Sequence, residues 1–132
     1  MEQVVDLDRA AARITARIPR WREAGLMVAP LTWWDRLAPW PQPLQTDRAR
    51  VEVPASLGLQ LSDPRTGAEL RVVLFCGGWA DVDYLVAGWA DREGDGAVGT
   101  FPAQGITSAD DFEARLVGWT GEVFGAEGGA NR

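Results

Sequence analysis

The stretch Ala68–Trp89, AELRVVLFCGGWADVDYLVAGW, decides how the rest of the chain is read. Side chains alternate between the two faces of a strand, so a hairpin register must bring apolar residues opposite apolar residues. A two-residue loop at Gly77-Gly78 would set Leu74 beside Asp81 on one face. A three-residue loop, Gly77-Gly78-Trp79, instead pairs Cys76 with Ala80, Leu74 with Val82, Val72 with Tyr84 and Leu70 with Val86. Every pair on that face is then apolar or aromatic, and the glycines supply the left-handed residue that such loops commonly need. The other face carries Arg71, Val73 and Phe75 beside Asp81, Asp83 and Leu85, with Trp79 at the tip.

Upstream, residues 49–62 alternate in the same way. Val51, Val53, Ala55, Leu57, Leu59 and Leu61 share one parity; Arg50, Glu52, Pro54, Ser56, Gly58 and Gln60 share the other. This is the pattern of a sheet with one dry face. Pro54 confines the strand to an edge or breaks it in two. Asp63-Pro64-Arg65-Thr66-Gly67 reads as a turn. Closing it at Ser62 and Gly67 pairs Leu61 with Ala68, Leu59 with Leu70 and Leu57 with Val72.

Helices are expected at both ends. Val4, Leu7, Ala11, Ile14, Ile18 and Trp21 follow helical spacing, predicting an amphipathic helix over 2–18 that bends or restarts at Pro19 and ends at Gly25. Arg9, Arg13 and Arg17 form a row on another face, read as a solvated face or as a basic docking stripe. Ser108-Ala109-Asp110-Asp111 has the form of a capping box, with Phe112, Leu116, Trp119 and Val123 on one face of the helix that follows. Gly118 and Gly121 weaken that helix and would let it approach the sheet closely.

The predicted fold is α+β: an antiparallel meander of three or four strands, the fourth near Val98–Phe101, packed on one face by the N- and C-terminal helices. Residues 1–125 form one domain and 126–132 a disordered tail. Between them, 26–48 are irregular. Leu26–Pro30 suits a short strand, and Thr32-Trp33-Trp34-Asp35 has the form of a helix start. Pro39, Pro41 and Pro43 favour an extended path. This Trp/Pro-rich segment is either a lid over the core or an exposed recognition surface.

The composition excludes much chemistry. The chain has no histidine among its 132 residues, which removes the commonest general acid–base group and zinc sites of the Cys/His kind. Its single cysteine, Cys76, forbids an intramolecular disulfide. No G-x-S-x-G elbow, P-loop or dinucleotide fingerprint occurs, and Asp91, Glu93 and Asp95 lack the spacing of an EF-hand, so neither cofactor nor metal is expected. Asp81 and Asp83 form the one carboxylate pair that could serve a hydrolase, and are read instead as a soluble outer face.

The net charge of −6 is uneven: residues 1–50 carry eight arginines against six acids, and residues 51–132 five against thirteen. An acidic second half disfavours nucleic acid and suits a basic protein partner. No stretch has the length of a membrane span and no secretory signal opens the chain, so a bacterial cytoplasm is the expected location.

The segment GGWADVDY over 77–84, the helix DFEARL-x-x-W over 111–119 and its VFG ending resemble small bacterial immunity proteins of polymorphic toxin systems, as does the helix–meander–helix layout. The resemblance implies a non-enzymatic cytosolic domain that binds and neutralises a cognate toxin. The outer sheet face, with Phe75, Trp79, Asp81, Asp83 and Leu85, is the expected contact surface if the N-terminal segment or the Trp-rich loop does not cover it. The alternative is a small-molecule-binding or hydrolytic domain whose pocket is roofed by Trp33, Trp34 and Trp40.

Overall fold

The computed structural model describes residues 2–86 and 97–125. The expected tail at 126–132 and the acidic turn around Asp91–Asp95 lie outside the described residues. In chain order the elements are α1 (Leu7–Glu23), β1 (Met27–Val28), β2 (Thr32–Asp35), a 3-10 turn (Arg48–Arg50), β3 (Pro54–Ser62), β4 (Glu69–Phe75), β5 (Trp79–Val86), β6 (Ala97–Thr100) and α2 (Ala109–Phe124). The fold is α+β, with every strand pair antiparallel. The sheet is wider than the expected meander: six strands in the order β1-β3-β4-β5-β6, with β2 also on β3. Both additional strands come from 27–35, which pairs with the free edge of β3.

Both hairpins keep the expected faces, but each register lies two residues from the expected one. Leu61 pairs with Leu70, Leu59 with Val72 and Leu57 with Leu74. Across the next hairpin Leu70 pairs with Tyr84, Val72 with Val82 and Leu74 with Ala80. The reason is the same in both: the loop must end on the residue with left-handed backbone. Gly78 (φ 96°) closes a three-residue loop, Cys76-Gly77-Gly78, and Gly67 (φ 83°) closes the loop after Asp63. The expected loops would have ended on Trp79 and Thr66, where a side chain makes that conformation unfavourable. A shift of two leaves parity unchanged, so the dry face is the one the alternation predicts.

On that face lie Leu57, Leu59, Leu61, Leu70, Val72, Leu74 and Val82, all buried with Leu7, Ile14, Phe112, Leu116 and Trp119 of the two helices. Each such side chain contributes about 1.5–3 kcal/mol on burial. Tyr84, Val86 and Ile18 are only half-buried. Tyr84 leans over Gly99 of β6 and stacks on Phe101 at 4.5 Å between ring centroids.

α1 begins later than the periodicity suggests. Asp6 is its N-cap, accepting from the Arg9 N–H at 3.1 Å. Residues before it run extended, and the Val4 and Val5 N–H groups both donate to the Cys76 carbonyl at 2.7 and 3.0 Å. Val5 is therefore the buried residue, and Val4, expected in the core, is 46% exposed. Pro19 lies inside the helix, where a bend or restart was expected. Gly25 ends it as expected, in a Schellman closure with the Leu26 N–H on the Trp21 carbonyl (3.0 Å) and the Gly25 N–H on that of Arg22 (2.9 Å).

Two members of the arginine row of α1 are engaged within the fold, while Arg9 stays exposed. Arg13 and Arg17 reach across to α2, where Arg13 pairs with Asp110 and, at 3.0 Å, with Glu113, while Arg17 meets Glu113 at 2.9 Å. Burial pushes the Glu113 carboxyl up, but the hydrogen bonds and charges of Arg17 and Arg13 outweigh it and hold the group below the ordinary glutamate range. α2 opens as expected on Ser108, which accepts from the Asp111 N–H at 3.0 Å. Gly118 does not bring α2 onto the sheet, since it is exposed and a methyl group there would meet nothing within 4 Å.

Thr32–Asp35 is strand, not helix start. Trp33 pairs with Leu57 on one side and bridges Gln45 on the other. The Asp35 carboxylate, instead of capping a helix, accepts from the N–H groups of Glu52 (2.8 Å), Leu37 (3.0 Å) and Val53 (3.1 Å). These backbone donors hold its carboxyl below the ordinary aspartate range. Arg48 ties the same segment to α1, with its guanidinium on both Asp8 oxygens (2.7 and 2.9 Å) and 5.4 Å from the Trp33 ring centroid.

Two outcomes follow from the helix pair. Because the folded state depresses the Glu113 carboxyl, its contribution is fully present above the unfolded value, near 4.5, and is lost as pH falls through the folded one. Glu113→Gln lowers the melting temperature at neutral pH and flattens its decline on acidification relative to the parent; an unchanged slope in melting temperature against pH overturns this. Gly118→Ala stabilises the chain by about 0.5–1 kcal/mol, read from denaturant midpoints, because an exposed helical position gains propensity without a clash.

Candidate functional interface

The register lays the outer side chains in rows across the sheet. The first runs Trp34, Ser56, Phe75, Trp79 and the second Thr32, Gly58, Val73, Asp81. The third runs Gln60, Arg71, Asp83, Thr100 and the fourth Ser62, Glu69, Leu85, Val98. Phe75, Trp79, Asp81, Asp83 and Leu85 thus share one face, as their parity predicts. Both helices pack on the other face.

The tip of this face is aromatic. Phe75 and Trp79 are direct cross-strand partners and stack at 3.9 Å between centroids with 17° between planes. Such a pair adds about 0.5–1.5 kcal/mol beyond area burial and holds the Trp79 ring flat against the hairpin. Trp79 nevertheless remains 39% exposed. Asp81 and Asp83 follow it on the same side of β5, both exposed, opposite Val73 and Arg71 rather than opposite the expected Phe75 and Val73. Among the described residues neither aspartate side chain has a hydrogen-bond or ion-pair partner. Leu85 is half-buried between Glu69 and Val98.

The hairpin tip is pinned on both sides. Beyond β6 the chain continues along β5, with the Phe101 N–H on the Val82 carbonyl (3.1 Å), the Ala80 N–H on that of Ala103 (2.9 Å) and the Ile106 N–H on that of Gly78 (2.8 Å). A methyl group at Gly78 would lie 2.7 Å from the Ile106 carbonyl oxygen, so glycine is required there by space as well as by φ. Trp79 is therefore presented from a backbone that has little freedom to move.

The three tryptophans expected to roof a pocket do not come together. Trp33 points to the dry face and is buried at 4% exposure, beneath Arg48. Trp34, its neighbour in the strand, points to the outer face and meets Trp40 edge-on at 4.9 Å. Trp40 is 63% exposed. The Trp/Pro-rich segment therefore contributes to both sides of the sheet. A concavity of about 330 Å³ does form beside Trp34, but over β3, with Leu44, Ser56, Gly58, Arg71 and Val73 in its lining. Leu44, Ser56 and Gly58 carried no functional signal in the sequence. The small and polar parity of 49–62 was the available clue, because a strand lacking bulky outward side chains leaves a low floor between its neighbours.

Among the described residues no three His, Cys, Asp or Glu side chains cluster as metal ligands, and no helix is long and apolar enough to cross a membrane. Comparison with protein-family models, with curated proteins and with solved structures returned no match for this chain.

Proposed function

We propose that the chain is a non-enzymatic protein-binding domain of the bacterial cytoplasm, an immunity protein that binds a cognate toxin through the outer face of its sheet. One observation carries the binding surface: a stacked Phe75–Trp79 pair, open to solvent, stands beside the unpaired carboxylates of Asp81 and Asp83 on the face away from both helices. Stacked aromatics supply contact area at little entropic cost, and flanking carboxylates set orientation and association rate. The excess of acidic residues in the second half of the chain, thirteen against five arginines, fits a basic partner surface. The toxin as partner rests on the resemblance of the 77–84 and 111–125 segments and of the layout to immunity proteins.

Capture of the partner by pull-down, followed by affinity and melting measurements on Asp81→Ala/Asp83→Ala, tests this reading. The double variant weakens the complex by about 2 kcal/mol or more where the carboxylates are buried on contact, with the rate of association falling as salt is raised. The melting temperature stays near that of the parent, because both side chains are exposed and neither enters the core. Unchanged affinity, or loss of the fold, overturns the assignment.

A further inference from the structure

We propose that the trench over β3 on the outer face binds a small amphipathic anion, an apolar body carrying one carboxylate or sulfonate. This goes beyond the protein-binding reading; the trench lies on the same outer face, but Asp81 and Asp83 are not in its lining, so the two are tested apart. The floor is the outward parity of β3, Ser56, Gly58 and Gln60. Trp34 and Leu44 stand on one side and Val73 and Arg71 on the other. The middle of the floor carries no side chain because Thr32 leans over Gly58, where a methyl group would lie 2.1 Å from the threonine hydroxyl oxygen. The first and third rows are about 13 Å apart along the strand, at roughly 3.3 Å per residue. The volume of about 330 Å³ and the predominance of apolar walls with a few polar groups match small-molecule sites.

The charge of the ligand follows from Arg71, the sole ionisable group of the lining. Asp83 faces it across the ladder and Glu69 lies two residues away on the same strand. Among the described residues, however, neither carboxylate closes an ion pair on its guanidinium. Its fork of donors suits a carboxylate or sulfonate at the end of the trench. The two nearby acids also set selectivity. Their repulsion acts on any anion at Arg71; a bare inorganic anion has nothing to offset it, whereas an anion with an apolar body gains from Trp34, Leu44 and Val73.

The experiment is fluorescence titration of the whole folded chain with 8-anilinonaphthalene-1-sulfonate and with its neutral counterpart N-phenyl-1-naphthylamine. The sulfonate saturates at one site per chain and is displaced by 4-phenylbutyrate but not by sodium sulfate at equal ionic strength. Arg71→Gln weakens the sulfonate about tenfold, the scale of one charge-assisted hydrogen bond, and leaves the neutral probe unchanged. Leu44→Ser, at a wall position already 53% exposed, weakens both probes without altering the melting temperature. Asp81→Ala keeps sulfonate binding, so this proposal and the partner interface fail separately. Absence of saturable one-site binding, or equal sulfonate affinity in Arg71→Gln and parent, overturns the proposal.

Discussion

The backbone of Cys76–Gly78 is the constraint on which the other parts depend. Its Cys76 carbonyl receives the N-terminal segment through Val4 and Val5, and its Gly78 carbonyl receives the segment after β6 through Ile106. Gly78 itself has the positive φ that ends the loop and the absence of a side chain that lets Ile106 approach. One tripeptide thus sets the register of β4 on β5, anchors the strand edge and fixes where α1 starts. That register, in turn, seats Trp79 on Phe75 and turns Asp81 and Asp83 outward.

The charged groups divide by role. Asp35, Asp63, Arg48 and Glu113 are engaged in architecture: Asp35 and Arg48 join segments far apart in the chain, Glu113 joins the two helices, and Asp63 closes its own turn. Asp63 shows the pattern within one turn: the side chain of Arg65 is the main influence holding its carboxyl below the ordinary range, and the Arg65 N–H donates to it at 2.9 Å. Asp81, Asp83 and Arg71 take no such part among the described residues. They sit in adjacent rows of the outer face, where charge is free to act on something outside the chain. The same face is aromatic at the hairpin tip and low over β3, so its chemistry changes from row to row.

The shared face of the candidate residues was legible where parity alone places them. Phe75, Trp79, Asp81, Asp83 and Leu85 needed only the alternation of two strands, and a register error of two residues leaves such an assignment intact. The tryptophans of 33–40 were not legible in this way. A helix start and a strand look alike over Thr32–Asp35, and the structure separates Trp33 from Trp34 onto opposite faces because they are consecutive in a strand. The trench was hidden for a related reason, since Leu44 comes to it through a loop whose path depends on Asp35 and Gln42, with the Gln42 amide bonded to the Asp35 carbonyl at 2.9 Å.

By itself the sequence determined the α+β class, the dry and wet faces of the central strands, and the chemistry that the composition excludes. These depend on local quantities: the period of apolar residues, the capping residues Asp6 and Ser108, and the identity of the side chains present. Only the tertiary structure decided the strand count, the partners of the α1 arginines and the edge formed by 27–35. Each of those rests on contacts between residues far apart in the chain, such as Arg13 with Glu113 and Arg48 with Asp8. No periodicity encodes such contacts, because they exist only once the sheet has brought the two helices and the Trp/Pro-rich segment to the same place.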